Sequence, residues 1–287
     1  MARQGRRPLS VFVLVALMLL LAAAAVAVIF SERFVGGSVP GDSPVLSLAA
    51  AHEGFLAGTS GGLFVSRDGK GWERHPRLGR GAISISPSPF APEPPSNLVP
   101  PVAIAASDRK IFLIPELNSA RELIAAPEPV SGLGVFELGV LVGARRGNIY
   151  LFSGGGFPRL GPGGPTQVQA LAGAGEDPAY VLTAGIDSGI WRATGPLATE
   201  QIEWRQLLET PATAVIIDGQ DSNRILIGTA GGILVSTNRG ESWRFSEFRG
   251  SVSGLSELSG EFFAVSDRLI YRSPDGDKDW APLAARN

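Results

Sequence analysis

The stretch GTSGGLFVSRDGKGW, Gly58 to Trp72, is written again with small changes as GTAGGILVSTNRGESW, Gly228 to Trp243. The copies begin 170 residues apart, so they cannot form one local motif and must be two instances of a repeated unit. Each contains a strand ending in a small residue, a short turn, and a second strand opening on a large apolar pair. The same pattern recurs at Gly58/Phe64, Ala106/Phe112, Gly143/Tyr150, Gly185/Trp191, Gly228/Leu234 and Val265/Tyr271. Successive markers lie 48, 37, 42, 43 and 37 residues apart, the period of a four-stranded blade.

Every unit also has an earlier apolar strand: VLSLAAA, AISISPS, SGLGVFE, VQALAGA, TAVIIDG and SGLSELS. Several have a later one carrying tryptophan, as in WERH, IEWRQL, WRFSEF and DWAPL. The chain's 37 glycines and 22 prolines suit many tight turns, and no stretch past the first 30 residues sustains a helical period. A lone four-stranded sheet cannot bury both faces, so the units must stack around an axis. The expectation is an all-β fold, a β-propeller of about six four-stranded blades over residues 45–283, with five or seven if one unit is misread.

The first 30 residues belong to a different environment. Leu9 to Phe30 is a run of 22 residues without a charge, preceded by Arg3, Arg6 and Arg7. As a helix it would span roughly 33 Å, close to a bilayer's hydrocarbon core. The basic flank places residues 1–8 in the cytoplasm and the rest outside. A cleaved secretory signal would also export the chain, but its apolar core usually runs only about 7–15 residues. A retained transmembrane helix over 9–30 is therefore expected, followed by a linker at 31–44, the propeller, and a tail at 284–287. Without cysteine there is no lipid-anchored thiol, disulfide or thiolate metal site. Beyond the anchor, residues 31–287 carry 22 basic and 27 acidic side chains, which gives no electrostatic footprint for nucleic acid.

Three units end in a short turn bounded by serine and tryptophan: SRDGKGW (Ser66, Asp68, Trp72), STNRGESW (Ser236, Asn238, Trp243) and SPDGDKDW (Ser273, Asp275, Trp280). These resemble the Asp-box, or BNR, repeat, roughly S-x-D-x-G-x-x-W. That family includes sialidases, sortilin-type receptor domains, tandem-repeat xyloglucanases and photosystem II assembly-factor propellers. The first copy is one residue short, the second has Asn238 at the Asp place, and the third has Asp277 at the Gly place. The resemblance implies turns between third and fourth strands, away from any catalytic centre. The short polar side chain would close the turn on backbone amides while the tryptophan packs against a neighbouring blade.

The catalytic residues of the enzymatic members are not recognisable. The sialidase motif that supplies a carboxylate-binding arginine reads FLIP here, with Leu113 in the arginine's place. Tyr150, Tyr180 and Tyr271 lack a nucleophile's context, and His52 and His75 read as ordinary surface histidines. Asp275, Asp277 and Asp279 alternate like the opening of a calcium loop, but the glycine and the closing glutamate are missing. No catalytic set, metal or cofactor is expected. The proline-rich Ser86–Pro101 should project from the Ser–Trp side, as an insertion in preference to a docking arm.

The turns between second and third strands offer the candidate binding residues: Arg109, Arg145, Arg146, Asp187 and Arg268. Arg109, Arg145 and Arg146 come from consecutive units and would form a cationic patch on an acidic domain. The expected role is a non-catalytic, membrane-anchored scaffold that binds a protein partner. A carbohydrate-active enzyme and a small-ligand sensor are the alternatives.

Overall fold

The computed structural model describes residues 38–41, 43–87, 102–153, 156–175, 179–197 and 201–283. The expected cytoplasmic tail, transmembrane helix, most of the proline-rich stretch and the C-terminal tail lie outside them. Among the described residues there is no helix long and apolar enough to cross a membrane.

The chain folds into six consecutive antiparallel sheets. Blade 1 is β1 (Val45–Ala51), β2 (Gly54–Thr59), β3 (Gly62–Ser66) and β4 (Glu73–Arg74). Blade 2 is β5 (Ile83–Pro87), β6 (Ala103–Ser107), β7 (Lys110–Ile114) and β8 (Arg121–Ala125). Blade 3 has β9 (Val130–Phe136), β10 (Gly139–Ala144) and β11 (Ile149–Phe152). Blade 4 is β12 (Ala170–Ala174), β13 (Tyr180–Gly185), β14 (Gly189–Thr194) and β15 (Glu203–Leu208). Blade 5 is β16 (Ala214–Ile217), β17 (Ile225–Thr229), β18 (Gly232–Ser236) and β19 (Arg244–Phe245). Blade 6 is β20 (Gly254–Leu258), β21 (Glu261–Ser266), β22 (Leu269–Ser273) and β23 (Ala281–Pro282).

The first strands β1, β5, β9, β12, β16 and β20 touch in that order, and β20 returns to β1, so the ring is closed. Six apolar clusters fill the seams, each drawn from two adjacent blades. Leu56, Leu63, Ile83 and Ile114 join blades 1 and 2, for example, while Leu48, Phe64, Phe263 and Ile270 join blades 1 and 6. Full burial of one such side chain contributes about 1.5–3 kcal/mol, so the seams hold the ring together. Closure also draws on residues ahead of β1. Val39 is fully buried, its amide donates to Arg268 O (2.9 Å), and Ala50 N donates to Ser256 Oγ (2.9 Å). Val39, within the stretch expected as a linker, thus contacts the ring closure.

The duplicated sequence occupies β2–β3 of blade 1 and β17–β18 of blade 5, and both copies make the same turn. Thr59 Oγ1 donates to Gly62 O (2.7 Å) and accepts from Gly61 N (3.1 Å); Thr229 does the same with Gly232 O (2.9 Å) and Gly231 N (3.1 Å). Gly62 and Gly232 have φ of 142° and 138°. A Cβ on either would lie about 2.5 Å from backbone of the returning connection, Gly79 O or Phe248 O, so only glycine fits.

Blade 3 departs from the four-strand expectation. Where a fourth strand should stand, the sequence reads FPRLGPGGP, too rich in glycine and proline to sustain a ladder. A remnant persists: Arg159 bridges Tyr150, Leu151 N donates to Pro158 O (3.0 Å) and Leu160 N to Ile149 O (2.8 Å).

Candidate functional site

In an antiparallel meander, alternate turns fall on opposite edges of the sheet. The third-to-fourth turns thus lie on one face of the propeller and the second-to-third turns on the other. The three Ser–Trp turns share one hydrogen-bonding scheme. Asp68 Oδ1 accepts from Lys70 N (2.8 Å) and Gly71 N (3.0 Å), Asn238 Oδ1 from Ser242 N (2.9 Å), and Asp275 Oδ1 from Asp277 N (2.9 Å) and Lys278 N (2.8 Å). The serine hydroxyls accept the amides of Gly69, Gly240 and Gly276 at 2.8–2.9 Å. The amides of Lys70 first and then Gly71 hold the Asp68 carboxyl below its ordinary value. Trp72, Trp243 and Trp280 each pack into the seam with the preceding blade. With the Asp68, Asn238, Asp275 and serine side chains bonded within the turns and the indoles in the seams, the turns brace the ring.

The aspartates that alternate like a calcium loop are committed elsewhere. Asp275 closes its own turn, and Asp277 forms a bidentate pair with Arg244. Among the described residues no group of three or more histidines and carboxylates could hold a metal ion.

On the opposite face, blades 2 and 3 bring Arg109 and Arg145 to the same connection. Arg109 Nε donates to Ala126 O (3.0 Å), Ala126 N to Arg109 O (2.7 Å) and Arg145 N to Pro129 O (3.4 Å). Arg109, Arg145 and Arg146 are exposed. Glu128, in that connection, tempers the charge by accepting from Asn148 Nδ2 (2.6 Å) and Tyr150 Oη (2.5 Å). The hydroxyl of Tyr150 chiefly, then Asn148 and the charges of Arg146 and Arg159, keep its carboxyl below the ordinary value. Asp187 is exposed in the blade 4 turn. Arg268 is not grouped with the patch: its guanidinium donates to Gly41 O, and its carbonyl takes the Val39 amide at the ring closure.

Leu113, in the place of the sialidase arginine, packs beside Ile111, Val140 and Val142 in the seam between blades 2 and 3. His75 is 1% exposed, not a surface residue. Its Nδ1 accepts from Arg77 N (3.2 Å) and Leu78 N (3.1 Å), and burial first of all lowers its pKa. A histidine following a tryptophan turn gives no sequence signal of burial.

The axial channel was not legible residue by residue. It measures about 90 Å³ and is lined by all six first strands, with Ser47, Ser84, Gln169, Thr213 and Glu257 among its polar groups. Glu257 accepts Gly260 N (2.6 Å), and burial, seconded by the neighbouring Asp218 charge, raises its pKa.

No protein-family model and no curated protein matches the chain. Solved structures share its fold. One is U3-55K, at 12% identity and a TM-score of 0.54, with 81% of this chain and 78% of that one covered. Another is the extracellular domain of a B. thetaiotaomicron protein assigned as a one component system, at 13% identity and a TM-score of 0.56. That match covers 88% of this chain but 34% of the other, so the propeller spans about a third of its length. At such identities the likeness is one of fold: a six-bladed β-propeller.

Proposed function

We propose that the protein is a membrane-anchored, extracytoplasmic propeller that binds an acidic protein partner as a non-catalytic scaffold. The observation that carries this reading is that Arg109 and Arg145 bond to the Ala126–Val130 connection and the Arg146 charge acts on Glu128 within it, exposed arginines on a domain of net negative charge. The uncharged run Leu9–Phe30 and its basic flank support the anchoring and the orientation. The three Ser–Trp turns support kinship with the Asp-box propellers, whose assembly-factor members they resemble in repeat style.

The test is capture from the native membrane by tagged full-length protein, comparing wild type with the double variant Arg145→Glu/Arg146→Glu. A stoichiometric partner released by charge reversal, and released from wild type by moderate salt, is the expected result. Equal capture by both proteins would overturn the reading.

One observation favours a carbohydrate-active alternative: Glu257 lines the channel, and burial first, then the neighbouring Asp218 charge, raises its pKa. Ligand clefts usually measure roughly 300–1,000 Å³, far above the channel's 90 Å³, so the scaffold is preferred. Turnover on a glycan panel, abolished by Glu257→Gln, would reverse that order.

A further inference from the structure

We propose that the seam between blades 3 and 4 holds a binding site for one small oxyanion group, phosphate in size and charge. A cavity of about 80 Å³ lies there, bordered by Arg146, Asn148, Arg159, Gly163, Gly164 and Trp204. A single water needs roughly 10–15 Å³ of such space, so the cavity admits a tetrahedral oxyanion. It exists because blade 3 spends its fourth-strand segment on the loop LGPGGPT, Leu160 to Thr166, whose turns follow positive φ at Gly161 and Gly163.

Apart from Asn148, which donates to Glu128, the donors named at its border lack protein acceptors among the described residues. Arg146 and Arg159 make no ion pair or side-chain hydrogen bond among the described residues, and the amides of Gly163 and Gly164 donate to no protein acceptor there. The Trp204 indole N–H is buried and unpartnered. A buried donor without an acceptor is unfavourable, and an oxyanion reaching it would supply one. The indoles of Trp243 and Trp280 also lack acceptors, but of the three only Trp204 borders this cavity. Gly164 lies against its ring; a Cβ there would come within 2.9 Å of Cε2, so the loop reaches the indole only as glycine.

Glu128, on which the charges of Arg146 and Arg159 act, is occupied by Asn148 and Tyr150. Two guanidinium groups against one carboxylate leave the site cationic, and Glu128 competes with the anion for the same charges. The site shares Arg146 with the partner-binding reading, but Arg159 and Trp204 are no part of that reading, so their variants separate the two.

The experiment titrates full-length protein in non-ionic detergent with inorganic phosphate and, separately, with glycerol 3-phosphate, against chloride at matched ionic strength. Calorimetry reads affinity, and thermal melting checks that each variant is folded. Saturable binding is expected for at least one ligand, and the tighter of the two tells whether the free ion or an esterified phosphate is preferred. Arg159→Gln and Arg146→Gln should each weaken it tenfold or more, and Trp204→Phe, which keeps the ring and removes the N–H, severalfold. Glu128→Gln should tighten it, an effect opposite to general damage. No saturable binding of either ligand, or binding unaffected by Arg146→Gln and Arg159→Gln, would overturn the proposal.

Discussion

Arg244 of blade 5 and Asp277 of blade 6 meet as a bidentate pair, Nη1 to Oδ1 at 2.5 Å and Nη2 to Oδ2 at 2.7 Å. Asp277 stands where the pattern that these turns resemble has glycine, so a departure from that resemblance supplies a contact between blades. Blade 5 does likewise: Glu241, in its own Ser–Trp turn, holds Arg192 (2.8 Å) and Arg205 (3.2 Å) of blade 4. In both cases an acid in the turn reaches back to arginines of the preceding blade.

The pair's worth follows from its exposure. Asp277 is nearly buried but Arg244 is more than half exposed, so solvent screens the attraction. A double-mutant cycle of Arg244→Ala and Asp277→Ala in denaturant unfolding should return a coupling of about 0.5–1 kcal/mol. The coupling should shrink in 1 M salt, where the Debye length is about 3 Å. A salt-independent coupling would mean that packing, not charge, joins the two.

The first and third Ser–Trp turns depend on a carboxylate accepting amides, and the second already does so with a carboxamide. Asp68→Ala should therefore destabilise by about 1–2 kcal/mol, the usual cost of losing such a cap. Asp68→Asn should cost clearly less, because Asn238 shows that an amide oxygen closes this turn. Chemical denaturation of the two variants side by side checks the order.

Much of the fold was legible because it is repetitive. Gly58 and Gly228 mark equivalent strands because each sits where the next blade crosses: a Cβ would lie 2.4 Å from Ile83 O at the first and 2.7 Å from Val252 Cγ1 at the second. Such a steric demand is written as a small residue, which a single sequence displays. Three things were not written that way. Blade 3's missing strand replaces pattern with glycine and proline, which read equally as turn or insertion. Arg268 looks like Arg109 in sequence, yet one clamps the ring closure and the other joins the cationic group. His75 and Glu257 are buried by residues distant in the chain, and no local spacing announces that.

Those two buried groups give opposite pH dependences. His75 has a folded pKa below its ordinary 6.5, so its contribution is complete above that value and is lost as pH falls through the folded pKa. Glu257 has a folded pKa above its ordinary 4.5, so its contribution is complete below 4.5 and is lost as pH rises through the folded pKa. Glu257→Gln should therefore stabilise relative to wild type at pH 7–8, with the advantage fading toward pH 4.5. His75→Asn, whose carboxamide oxygen can accept the Leu78 amide, should flatten the loss of stability below pH 6.5. Melting midpoints of the three proteins across pH 4.5–8 test both signs.

The turn glycines separate backbone strain from crowding, because two of them share positive φ and differ in surroundings. Gly232 has φ of 138° and its Cβ would lie 2.5 Å from Phe248 O; Gly163 has φ of 89° and its Cβ would meet nothing within 4 Å. Gly163→Ala should cost only the left-handed strain, about 1–2 kcal/mol. Gly232→Ala adds a clash with main chain that cannot yield without moving the connection into blade 6, so it should cost more, about 3 kcal/mol or above. Denaturant midpoints of the two variants decide the comparison. Equal losses would mean that the Phe248 connection shifts freely, and that the duplicated turn owes its glycine to φ alone.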